Sequence, residues 1–310
     1  MAGDERTLIP VVAGPTAAGK SAIALALARR LPITIIVADS RQIYRRFDIG
    51  TAKPSAAELV AAPHRGIDLI EPIERFSAAA WAELADRWID EAHAEGRIPL
   101  VVGGTGFYLR ALFDPLFDEP ELDARARRQV EAVLMSLSLD ELQRWCTALD
   151  PKRAHLGRAQ LLRAIEVALI TGHRLTDLHR ARARPARRSA RYLVVDAGPA
   201  LAGRIEARLD AMLDGGWVDE VRGLVDEVPA EAPAWYATGY RAVRALVRGD
   251  IDRDAARQQI LIATRQYAKR QRTWLRHQIE ESAVTRLDPG DAASLALAER
   301  WLLDVTGRRA

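Results

Sequence analysis

The octapeptide Gly14, Pro15, Thr16, Ala17, Ala18, Gly19, Lys20, Ser21 constrains this chain more than any other stretch. It follows the apolar run LIPVVA (8–13) and opens the alanine-rich run 22–28, so a strand, a glycine loop and a helix are written in succession. The glycines let backbone N–H groups converge on oxyanions, Lys20 neutralises an outer phosphate, and the Ser21 hydroxyl suits a magnesium ion. The spacing is that of a P-loop and points to phosphate binding. Whether the phosphates belong to a nucleotide or to another group is left open by the string.

Two further apolar runs end in the same manner, ITIIVA (33–38) before Asp39 and IPLVVGG (98–104) before Thr105. Each precedes helix-compatible sequence, the alternation of an α/β fold with a parallel sheet. Ligands in such sheets bind beyond the carboxyl ends of the strands, so Lys20, Asp39 and Thr105 are expected to converge. An aspartate ending a buried strand beside phosphates is either a magnesium ligand or a general base, and the spacing favours neither. From about residue 115 to 191 the pattern changes: 122–134, 139–149 and 160–170 read as helices, and no strand is expected until YLVVD (192–196). The expected organisation is a P-loop parallel-sheet core in 1–114 and 192–310, interrupted by a mainly helical insertion, with AVTRLD (283–288) as a last edge strand.

No stretch of the 310 residues approaches a membrane span, and the opening MAGDERTLIP lacks a long apolar region, so a cytoplasmic location is expected. The single cysteine, Cys146, cannot form an internal disulfide or a cysteine-based zinc site. Neither a heptad pattern nor an evident apolar patch argues against a monomer. The net charge is only +3, so the distribution of charge matters more than its sum. At 100° per residue, Arg265, Lys269, Arg272 and Arg276 share one helical stripe, with Ile260, Tyr267 and Trp274 opposite, and no acid occurs from 255 to 279. An acid-free stripe suggests a polyanion, RNA or DNA. The run HRARARPARRSAR (179–191), with six arginines and no acid, is either a second such surface or a solvated hinge.

Taken in order, GPTAAGKS, ADSRQIYRRFDIGTAKPS (38–55), APHR (62–65), VVGGTGFYLRAL (101–112), RIEARLDAML (204–213), TGYRAV (238–243) and ATRQYAKRQRTWLR (263–276) resemble the tRNA dimethylallyltransferase family, also called tRNA isopentenyltransferases. The resemblance runs across nearly the whole chain. It implies transfer of a dimethylallyl group from dimethylallyl diphosphate to the N6 amine of the adenosine immediately 3′ of the anticodon, with Mg2+ as cofactor. The cradle then holds an isoprenoid diphosphate, and no ATP is hydrolysed. An adenylate isopentenyltransferase acting on free AMP, ADP or ATP shares the P-loop and the aspartate motif, but the basic stripe and the intact insertion argue for tRNA. A P-loop small-molecule kinase is the alternative from a different class.

By this resemblance Asp39 is the base, Thr16 and Arg208 assist with the diphosphate, and His64 lies near the prenyl donor. The tRNA anticodon stem-loop is implied to contact Asp39, Ser40, Arg41, Gln42, Thr105, Arg127, Gln160, Leu161, Leu162, Arg163 and Ala164. Further implied contacts are Tyr236, Ala237, Thr238, Gly239, Tyr240, Arg241, Lys269, Arg270, Arg272 and Arg276. A stacked base cannot be prenylated, so the target adenosine is expected to be extruded between P-loop and insertion. The chain departs from the family pattern at Gln160, where an arginine is common, and at Tyr236, Ala237 and Thr238.

Overall fold

The computed structural model describes residues 7–114, 116–117, 122–181, 183–184 and 187–308. The three apolar runs are strands β1 (Thr7–Ala13), β2 (Ile33–Ala38) and, after the two-residue β3 (His64–Arg65), β4 (Ile98–Gly103). Every residue of β2 and β4 is buried, as expected of parallel strands covered on both faces. Helix α1 (Lys20–Ala28) follows β1, α2 (Ala56–Ala61) lies between β2 and β3, α3 (Ala78–Ala94) precedes β4, and α4 (Gly106–Phe113) follows it. Trp81 fixes α3 to the sheet: its indole N–H donates to the Val37 carbonyl at 3.1 Å, and its ring stacks on Tyr108 of α4 at 4.8 Å.

Two compact units divide the chain, residues 1–113 with 187–310, and residues 114–186. The second unit carries β5 (Leu116–Phe117), α5 (Ala124–Met135), α6 (Leu139–Leu149), α7 (Arg158–Thr171), α8 (Leu175–Ala181) and β6 (Ala183–Arg184), with β5 and β6 paired antiparallel. Its core is formed by Leu134, Leu142, Cys146, Leu161, Ala164, Ile165 and Val167. Ser138 and Glu141 close a reciprocal capping box at the start of α6.

The chain then returns in β7 (Arg188–Val195), α9 (Leu201–Asp214), α10 (Trp217–Leu224), α11 (Tyr240–Arg248), the long α12 (Arg253–Gln278), β8 (Val284–Leu287) and α13 (Ser294–Thr306). Among the described residues the first unit's sheet is six-stranded and wholly parallel, in the order β3-β2-β4-β1-β7-β8, with β8 at the edge where AVTRLD placed it. No described helix is long and apolar enough to cross a membrane.

One boundary differs from the sequence expectation. β7 begins at Arg188 rather than Tyr192, because the Arg188 guanidinium is neutralised by Asp86, at 2.8 Å, and by Asp90, both on α3. Arg187 pairs with the same two acids. The end of the arginine run is therefore the start of a strand, with Arg187 and Arg188 paired to acids of another element; positions 182, 185 and 186 lie outside the described residues.

Candidate active site

The turns after β1, β2, β4 and β7 all leave the carboxyl edge of the sheet, and a cavity of about 540 Å³ opens there. Gly19 caps α1 at φ 101°, a conformation that favours glycine. No side chain caps this N-terminus and no acid lies in its first turn, so its unpaired amide N–H groups and partial positive charge are left for an anion. Pro15 and Ala18 are buried, so these cradle positions act through backbone, whereas Thr16, Ala17, Gly19, Lys20 and Ser21 line the cavity.

Lys20, Lys53, Arg204 and Arg208 line this space together with the carboxylates of Asp39 and Glu58. Lys20 donates from Nζ to the Pro15 carbonyl at 2.7 Å, curled over its own loop; burial and the neighbouring Arg208 lower its pKa to about 8, against the pull of Asp39. Arg208, from α9, donates from Nη1 to Oγ1 of Thr16 at 3.3 Å. Burial lowers its pKa while the charge of Asp39 raises it, and a guanidinium stays protonated throughout. Arg204, one turn earlier on α9, lies against Gly19 and lines the same cavity.

Asp39 sits where β2 ends. Its Oδ1 accepts the Arg41 N–H at 2.8 Å, which fixes the carboxylate in a tight turn. The turn is strapped to β4: the Ser40 N–H donates to Oγ1 of Thr105 at 3.1 Å, and the Thr105 N–H to the Ala38 carbonyl at 3.2 Å. Tyr267 of α12 shares a hydrogen bond with Thr105, and burial followed by the charge of Asp39 pushes its pKa up to about 12, so it is a neutral phenol. His64 also lines the cavity. Its Nδ1 lies 2.8 Å from the Ala62 carbonyl, which can only accept, so Nδ1 carries the proton. Burial holds its pKa below the ordinary histidine value. Lys20, Asp39 and Thr105 thus converge as the strand pattern predicts.

A smaller recess of about 70 Å³ shares Thr16, Asp39, Arg208 and Tyr267 with the cavity and is walled by Ile205, Leu209, Met212 and Trp217. The loop that follows Asp39 is held from the far half of the chain. Glu220 accepts the N–H groups of Asp48 and Ile49 at 3.0 and 2.7 Å and the Tyr240 hydroxyl at 2.6 Å, and that hydroxyl accepts the Gly50 N–H at 3.1 Å. Lys53 donates to the Tyr44 carbonyl at 2.6 Å and pairs with Asp48 and Asp68, while Gln42 donates to the Thr51 and Ala52 carbonyls at 3.1 Å.

A family profile described as IPP transferase matches residues 42–278, and one described as isopentenyl transferase matches residues 8–66. The chain belongs to the IPP transferase family. It is 42% identical over 292 residues to a tRNA dimethylallyltransferase of Anaeromyxobacter sp. (strain K), covering 92% of this chain and 95% of the relative. It is 43% identical to one of Bordetella pertussis, covering 91% and 94%. The crystal structure of a tRNA isopentenylpyrophosphate transferase from Bacillus halodurans superposes with a TM-score of 0.69 at 30% identity, covering 98% of this chain and 99% of that one. A eukaryotic dimethylallyltransferase acting on tRNA shares the fold, with a TM-score of 0.80 at 24% identity over 98% of this chain and 80% of that one.

Against this family frame, the residues implied for RNA contact divide by accessibility. Lys269, Arg270 and Arg276 are exposed on α12, and Arg241 is exposed with its guanidinium 3.7 Å from the ring centroid of exposed Tyr236. Arg272 is not free: it grips Asp196 at the end of β7, with Nε 2.9 Å from Oδ2, and donates to the Gly198 carbonyl at 2.8 Å. Arg265, on the same stripe, pairs with Glu206 of α9. Two of the four stripe cations are thus paired with acids of neighbouring elements.

Four implied contacts have buried side chains. Tyr240 is enclosed by Phe47, Trp217 and Trp235, and Ala237 precedes it in the same turn of chain. Gly239, at φ 93°, lies so close to Trp217 that a Cβ would stand 2.4 Å from the ring. In the helical unit, Leu161 and Ala164 lie three apart on α7 and face that unit's core. Arg127 and Arg163 both pair with the buried Glu166, at 2.7 and 2.6 Å, while Gln160 is exposed, its Oε1 accepting the Gly157 N–H at 3.0 Å. Arg204, Glu220 and Gln271 carry the site without having been singled out from sequence, although Arg204 had a signal in its position four before Arg208 on a helix; Tyr267 was placed from sequence only on the face opposite the basic stripe.

Proposed function

We propose that the chain transfers a dimethylallyl group from dimethylallyl diphosphate to the N6 amine of the adenosine immediately 3′ of the anticodon in tRNA, acting as a cytoplasmic monomer. The observation that carries this reading is that Asp39 lies on one cavity with the P-loop, Lys20 and Arg208, so that a carboxylate base and a cationic diphosphate cradle face the same space. The apolar walls of the adjoining recess suit a short hydrocarbon better than a ribose. The adenine amine is a weak nucleophile because its lone pair is delocalised. Its N–H proton passes to the Asp39 carboxylate as N6 bonds to C1 of the allyl group and the C1–O bond to diphosphate breaks. Charge that develops on the leaving diphosphate is met by Lys20, Arg208, the Thr16 hydroxyl and the α1 amide groups.

The Ser21 hydroxyl is a hard oxygen donor on the same cavity and would hold Mg2+ together with diphosphate and water oxygens. When bound, the ion supplies further positive charge to the departing diphosphate. Exposed Lys269, Arg270, Arg276 and Arg241 support an RNA face on α12 and α11.

Asp39→Ala tests the assignment: transfer falls by at least about 100-fold while tRNA affinity is nearly unchanged. Surviving turnover with collapsed affinity would remove Asp39 as the base.

A further inference from the structure

Gln271 is buried in the middle of α12 and hydrogen-bonds two loops far from it in sequence. Its Oε1 accepts the Thr16 N–H at 2.8 Å, and its Nε2 donates to the Gly104 carbonyl at 2.9 Å. A carboxamide does both from two separate atoms, whereas an ammonium or guanidinium cannot accept and an ionised carboxylate cannot donate. The space is closed: a Cβ on Gly104 would stand 2.3 Å from Nε2 of Gln271 and 2.6 Å from the Gly14 carbonyl oxygen. The next residue, Arg272, holds the end of β7 through Asp196. One turn of α12 is thus tied to the ends of β1, β4 and β7, and the same turn carries exposed Lys269 and Arg270.

We propose that Gln271 is a positioning residue for the transfer reaction, tying the helix that carries the exposed basic residues to the phosphate cradle so that RNA held on α12 is set in register with the diphosphate. It acts through Thr16: with the Thr16 N–H fixed by Gln271, its Oγ1 is presented to Arg208. The inference rests on the prenyl-transfer reading given above.

Gln271→Met keeps the volume and removes both hydrogen bonds, leaving a buried N–H and carbonyl unpaired. It is expected to lower kcat by about 10- to 100-fold, with tRNA affinity little changed. Gln271→Glu separates positioning from bulk stability. Its ionised carboxylate still accepts from Thr16 but opposes the Gly104 carbonyl, whereas the protonated carboxyl reproduces both bonds. The ratio of Gln271→Glu to native kcat is therefore expected to rise as pH falls from about 8 to about 6, the range into which burial moves a carboxyl. The native amide does not titrate, and Lys20, Lys53, Asp39, Glu58, His64, Arg204, Arg208 and Tyr267 on the cavity, with Arg272 and Asp196 beside it, are present in both proteins. A flat ratio, or native kcat in Gln271→Met, would overturn the proposal.

Affinity for inorganic diphosphate, measured without RNA on the same proteins, keeps the two readings apart. Weakened diphosphate binding in Gln271→Met alongside a native protein that transfers nothing to tRNA would remove the prenyl-transfer reading and leave the link from Gln271 to the cradle standing. Native transfer with undiminished binding and turnover in Gln271→Met would remove the role of Gln271 alone.

Discussion

Arg208 reaches from α9 into the P-loop and places its Nη1 3.3 Å from Oγ1 of Thr16, joining two residues 192 positions apart. The contact puts a permanent cation where diphosphate charge develops. Arg208→Gln is expected to lower the single-turnover transfer rate by about 100- to 1000-fold and to leave tRNA binding intact. Arg208→Lys recovers little, because a shorter point charge cannot reproduce the planar fork.

Lys20 gives the free enzyme a pH signature. With its pKa lowered to about 8, mainly by burial, the side chain is charged below that pH and neutral above it. Affinity for dimethylallyl diphosphate is expected to fall as pH climbs through about 8, and to lose this dependence in Lys20→Arg, whose guanidinium does not titrate there. Folding responds with the opposite sign. The folded pKa lies below the ordinary 10.5, so between these values the unfolded chain binds more protons and stability rises with pH. Calorimetric titration of the ligand and urea unfolding across this range check the two signs.

Tyr240 separates a structural from an RNA-binding role. Its ring is buried and its hydroxyl joins Glu220 to Gly50. Tyr240→Phe is expected to cost about 1–2 kcal/mol of stability and to leave tRNA affinity of the folded protein untouched. Weakened tRNA affinity with unchanged stability would restore it as an RNA contact.

The exposed cations make the contrasting prediction. Changing Lys269 and Arg276 to alanine together is expected to reduce the slope of log K against log salt by about two phosphate contacts' worth. Arg272→Ala, which removes the cation paired with Asp196 at the end of β7, is expected to act on stability and on the cradle instead. Filter binding over a range of salt, alongside thermal unfolding, distinguishes the two classes.

These contrasts show what the sequence carried. Strand ends with a fixed short spacing, Gly14 to Ser21 and Ala38 to Asp39, were legible because period and turn chemistry act locally. Arg272 was legible as a charge but not as a pair: its partner Asp196 lies 76 residues away, on a strand end that only the sheet order brings beside α12. Gln271 gave no signal, since an amide in a polar helix looks like surface until the Thr16 N–H, 255 residues distant, is placed against it. Leu161 and Ala164 were assigned by resemblance to a segment, and a helix turns every third residue of such a segment inward.

The central claim is that this cradle holds a prenyl diphosphate and that the acceptor is tRNA. The most direct measurement incubates the purified protein with magnesium, labelled dimethylallyl diphosphate and unmodified tRNA, with AMP as a parallel acceptor and no ATP. The account predicts label in tRNA alone. Label in AMP, or label in neither with ATP hydrolysed when it is supplied, would contradict it.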